Sequence, residues 1–145
     1  MDYRVKAVAS NRFHPVDFNA SMKKWLLLIT LLFSLLIVAI VVLADLDQFP
    51  QSIKCLYDFP GGDKVGHFAL FGLLSFLLNR SALALYPKQN STRLVLTVSL
   101  LLAIVVGLEE WSQSLFTART MSLIDLLASY TGVWMFALLA YRTES

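Results

Sequence analysis

The run WLLLITLLFSLLIVAIVVLA, Trp25 to Ala44, decides the fold. It is 20 residues long and carries no charge. As a helix rising about 1.5 Å per residue it spans about 30 Å, the thickness of one hydrocarbon core. A cleaved signal peptide, with Val42-Leu43-Ala44 as its end, is the rival reading. The run is longer than the usual apolar region of about 7–15 residues, which favours a retained membrane span.

Composition extends that reading to the whole chain. Of 145 residues 57% are hydrophobic and 15% charged, and the mean hydropathy is +0.66. Soluble domains average about 45–50% apolar and about 25% charged, so a bilayer is the solvent this chain suits. The net charge of +2 is too small to argue for nucleic acid. No Gly-rich phosphate loop, zinc-ligand spacing or internal repeat stands out, and no metal or organic cofactor is expected. The lone cysteine, Cys55, excludes an intramolecular disulfide.

Working outward from the first span, residues 1–24 read as a basic tail holding Arg4, Lys6, Arg12, Lys23 and Lys24, in which Pro15 argues against one long helix. Residues 45–62 read as a loop with Pro50, Pro60 and paired glycines. A second span is expected over 63–80, a turn at Tyr86-Pro87-Lys88, a third span over 94–113 and a fourth over 122–141. The expectation is an all-α, polytopic membrane protein: residues 25–145 form one domain of four transmembrane helices in an antiparallel bundle.

Orientation follows from the distribution of Lys and Arg. With the N-terminus in the cytoplasm, nine of the 12 basic residues fall inside and three (Lys54, Lys64 and Arg119) outside. Both termini are therefore expected in the cytoplasm. The same topology gathers Asp63, Lys64, His67, Glu110, Gln113, Arg119 and Asp125 at the outer face, although they played no part in choosing it.

Charges at or within a membrane are costly, so they read as functional unless a structural role accounts for them. Asp63 and His67 lie four apart and Lys64 and His67 three apart, near one face if the segment is helical. Asp63 also suits a helix N-terminus, and Lys64 can snorkel. His67 suits proton transfer or a structural hydrogen bond to Glu110 or Asp125. Ser122 and Asp125 have the spacing of a capping box. Glu109 and Glu110 point about 100° apart on a helix, and the spacing to Gln113 favours Glu110 as the inward one. Arg119 suits a phosphate or carboxylate, or the neutralisation of Asp125 and Glu110. An internal ion-pair network accounts for the whole set equally well. Gly66, Gly72 and Ser75 suit close helix contact.

In order and spacing these residues resemble the VanZ-like membrane protein family over roughly residues 63–132. The resemblance rests on Asp63-Lys64 followed by His67-Phe68, then Glu110 and Gln113, then Arg119, Asp125 and Gly132. Ser129 stands where the family pattern has asparagine. The resemblance implies a multi-pass protein of the bacterial plasma membrane with an envelope role, its founding member being associated with teicoplanin resistance. It implies no known reaction.

Three functions follow as expectations. The first is an envelope protein contributing to tolerance of glycopeptide or lipoglycopeptide antibiotics such as teicoplanin. The second is an enzyme acting on a lipid or polyprenyl-phosphate headgroup. In it His67 is the acid or base, Asp63 or Glu110 its orienter and Lys64 with Arg119 the phosphate clamp, while Gln113, Asp125 and Ser129 line the site. The third is a non-catalytic scaffold or small transporter subunit, which would need to oligomerise to form a pore. Membrane lipids and lipid-linked envelope precursors are the expected partners.

Overall fold

The computed structural model describes residues 16–46, 48, 60–115 and 121–143, with the backbone alone at 16–19. These residues form four long helices and no strand. All four are long and apolar enough to cross a membrane. Helix α1 is Val16–Asp45, α2 Gly62–Leu85, α3 Ser91–Ser112 and α4 Leu123–Arg142. A short 3-10 turn, Gln113–Leu115, continues α3.

The helix ends correct several expected boundaries. The segment assigned to the basic tail is helical from Val16, nine residues ahead of the expected start at Trp25. Proline is tolerated at a helix start, and Pro15 immediately precedes this one. Helix α2 runs past Arg80 to Leu85 because Ser81-Ala82-Leu83-Ala84-Leu85 bury Ser81 and Leu83 against the bundle. It stops before Tyr86-Pro87, where the residue ahead of a proline is pushed out of helical geometry. Helix α3 starts at Ser91 rather than Leu94, since the Asn90 side chain accepts the Arg93 amide at 2.9 Å and caps it.

Consecutive helices run antiparallel, as expected, but the most extensive packing joins α2 to α4, which run parallel. Helix α3 packs on both, while α1 packs mainly on α2. The central crossing depends on two glycines. A Cβ on Gly132 would overlap the Phe68 carbonyl oxygen, and one on Gly72 would lie 2.8 Å from the Phe136 ring. Phe136 in turn meets Phe68 edge-on, with centroids 5.9 Å apart. Close backbone approach over small residues is how membrane helices gain packing contacts when lipid is as apolar as leucine. Gly66, expected to help, has open space around it.

Around this crossing Phe71, Leu74, Leu102, Val106 and Val133 form the main core, with Ile37 as the contribution from α1. Polar side chains link α2 to each neighbour. Ser75 Oγ donates to the Val133 carbonyl of α4 at 2.8 Å. Asn79 Nδ2 donates to Ser99 Oγ of α3 at 3.1 Å and to the Ser75 carbonyl at 2.8 Å. Ser81 Oγ shares a 2.8 Å hydrogen bond with Thr30 Oγ1 of α1. Helix α2 is thus the hub, and it holds the site at its first turns.

Candidate functional site

The loop end of the bundle is where α2 and α4 begin and α3 finishes. Gly61, at φ 85°, takes the left-handed conformation that turns the chain into α2. It leaves the helix without a side-chain cap. Asp63 sits in the first turn and so is not the cap. It favours that end by charge alone and pairs with Lys64 at 2.9 Å.

Parallel packing puts α2 and α4 in register here. Lys64 Nζ lies 3.3 Å from Asp125 Oδ1, and one turn further in His67 Nδ1 lies 3.1 Å from Ser129 Oγ. A spacing of three on α2 thus meets a spacing of four on α4. Asp63 and Lys64 are substantially exposed, Asp125 is mostly covered and Ser129 is buried. Next inward come the His67–Phe71 ring contact at 5.8 Å and the glycine crossing.

Ser129 also donates its hydroxyl proton to the Asp125 carbonyl at 2.9 Å. A carbonyl can only accept, so while the serine proton is on the Asp125 carbonyl the hydroxyl accepts from His67 Nδ1–H. In that arrangement Nε2 is the ring nitrogen left to accept. The partner of His67 is therefore Ser129 rather than Glu110 or Asp125, and neither Asp63 nor Glu110 orients the ring.

Glu110 faces inward as expected, 1% exposed. Its carboxylate accepts the Ser122 backbone N–H at 2.6 Å. Ser122 Oγ in turn accepts the Asp125 N–H at 3.3 Å and caps α4. In a capping box the acid three residues on would take the Ser122 N–H. Glu110 takes that place from another helix and leaves the Asp125 carboxylate to Lys64. Gln113 is also buried, but its amide donates to Glu109 at 2.8 Å rather than to Glu110. Arg119 lies outside the described residues.

No family model, curated protein or solved structure matches the chain.

The chemistry of the site is therefore read from its own groups. Among the described residues the loop end carries Asp45, Asp63, Glu109, Glu110 and Asp125 against Lys64. Lys64 is held by two carboxylates, so it is a poor phosphate clamp. The excess of acceptors suits hydroxyl and ammonium groups better than phosphate. Among the described residues no group of three or more His, Cys, Asp or Glu side chains is arranged to hold a metal ion. The buried polar residues Thr30, Asn79, Ser81 and Ser99 were not anticipated. Their signal in sequence is a small polar side chain inside an apolar run.

Proposed function

We propose that the chain is a VanZ-like multi-pass protein of the bacterial plasma membrane with both termini in the cytoplasm. The cluster of Asp63, Lys64, His67, Asp125 and Ser129 then faces outward and recognises the polar headgroup of an envelope lipid or lipid-linked precursor. Occupying that headgroup limits its exposure to glycopeptides such as teicoplanin. One observation carries the reading. His67, half-buried in the second turn of α2, has its Nδ1 tied to Ser129, which leaves Nε2 for a ligand beside a surplus of carboxylates. Hydroxyl- and amine-bearing headgroups fit such a surface. The lysine and arginine excess at the opposite end supports the orientation.

The test compares teicoplanin susceptibility with and without the gene, and with His67→Ala at matched membrane levels. A tolerance increase of several fold that His67→Ala removes supports the reading. Equal tolerance at verified expression overturns it. Labelling of Cys55 by an impermeant thiol reagent in intact cells checks the orientation separately.

A second reading, an enzyme acting on a lipid headgroup, is favoured by the same tether. A histidine whose Nδ1 is held by a fixed acceptor presents Nε2 as a base in one orientation. Unchanged lipid and precursor profiles on overexpression and on His67→Ala would exclude it.

A further inference from the structure

At the other end of the bundle a groove of about 260 Å³ opens between α3 and α4, lined by Thr92, Val95, Leu96, Trp134, Leu138 and Tyr141 over a floor of Ala137. Ala137 is buried, while Trp134 and Leu138 stand exposed as its walls. The small floor between large walls makes the channel. From Tyr141 to Trp134 it follows α4 for about 10 Å at about 1.5 Å per residue. Thr92 Oγ1 donates to Tyr141 Oη at 3.3 Å across the mouth, so the polar atoms of the lining gather at the rim. The channel below is apolar.

The rim is basic. Arg93 follows Thr92 on α3, Arg142 follows Tyr141 on α4, and Lys88 lies in the turn before α3. Arg93 and Arg142 are exposed; residues 86–93 hold no carboxylate, and Glu144 is the one acidic residue after Asp125. Arg142 also complements the C-terminus of α4, and both arginines belong to the Lys/Arg excess that sets the orientation, a role that phosphate binding does not displace. An apolar channel with a hydrogen-bonded polar rim, and with arginines next in sequence to its lining residues Thr92 and Tyr141, matches one class of molecule in its surroundings. We propose that this groove is a binding site for an anionic phospholipid, with one acyl chain along Ala137 and the phosphate between Arg93 and Arg142. The match is one of charge as well as shape: guanidinium groups bind phosphate, whereas a zwitterionic headgroup offers no net charge to them. The site is separate from the cluster at the loop end and does not depend on its function.

Trp134 in the wall is a built-in reporter. The experiment uses the full-length protein with Trp25→Phe and Trp111→Phe, leaving Trp134 as the one fluorophore of its type. The protein is placed in bilayers of phosphatidylcholine containing either brominated-chain phosphatidylglycerol or brominated-chain phosphatidylcholine. The expected result is Trp134 quenching that reports several-fold preference for phosphatidylglycerol. The preference falls toward one in Arg93→Gln/Arg142→Gln and in 0.5 M salt, where the screening length drops to about 4 Å. The salt arm reads the same quantity on the unaltered rim, should the double variant fold poorly. Equal quenching by the two lipids overturns the proposal. So does a preference that survives both high salt and loss of the arginines, which would locate anionic selectivity elsewhere.

Discussion

Helix α1 is the most apolar span of the chain, yet only 11% of it is buried inside the protein; α2 is among the least apolar, and 39% of it is buried. In a water-soluble protein the ranking would be reversed. A lipid solvent accounts for the inversion. Leucine gains little by leaving lipid for protein, so Leu31, Leu32, Leu35 and Leu36 of α1 remain exposed. What α2 gains comes from close approach and from polar groups that lipid cannot satisfy. Gly72 lets α4 in, Ser75 bonds to α4, Asn79 to α3 and Ser81 to α1.

The comparison breaks most readily at the glycine crossing. Gly132→Leu puts a side chain where the Phe68 backbone already stands, and backbone cannot rotate away as a side-chain tip can. The variant is expected to lose about 3 kcal/mol or more, at the upper end for overpacked cores, and to yield little monodisperse protein. Gly66→Leu, made into open space on the same α2, should unfold thermally in detergent as the parent does. Equal loss in both would mean that α2 tolerates no bulk anywhere and that the crossing is nothing special.

Glu110→Ala comes next. It removes the acceptor of the Ser122 N–H and uncouples the end of α3 from the start of α4. Hydrogen bonds to charged groups contribute about 1.5–3 kcal/mol, and a fall of that order in unfolding free energy is expected. Glu110→Gln keeps an acceptor oxygen and should recover about half of the loss by the neutral-bond scale. If both variants are silent, the buried acid is not holding α4 in place.

How much of this was legible in the chain follows the same division. The four spans were readable because each must match the thickness of the hydrocarbon, a constraint on length and charge alone. Helix ends were less so. Arg80 looks like a terminus, but the five residues after it continue α2 on packing that no window of hydropathy contains. At the loop end, helical spacing placed Lys64 and His67 on one face and made Glu110 the inward acid. Which side chain met which was not readable. Ser129 rather than an acid took His67, and Glu110 went to a backbone amide, because the parallel register of α2 and α4 is set at Gly72 and Gly132, one to two turns inward of the charges. Asn79 was passed over for a related reason. Beside Arg80 it looks like the end of a span, whereas it is completely buried against Ser75 and Ser99.

The smallest expected effects lie on α1, and they sharpen the comparison best because the two substitutions differ in apolar area in the wrong direction for a soluble core. Thr30→Val keeps the size of the side chain and makes it more apolar, but removes the 2.8 Å bond to Ser81. Interhelical hydrogen bonds in membranes average about 0.6 kcal/mol, so a loss of that order is expected in unfolding from mixed micelles, where steric trapping can resolve it. Leu31→Ala with Leu35→Ala removes far more apolar surface from the same helix, but from residues 57% exposed. A large-to-small change at a buried leucine costs about 2–5 kcal/mol, whereas exposed positions fall within about 0.5 kcal/mol. The double alanine variant should therefore lose far less than two buried leucines would, and per substitution no more than the single valine variant. The opposite order would mean that the outer face of α1 is covered in the membrane, with a second copy of the chain the first occupant to test by crosslinking at that face.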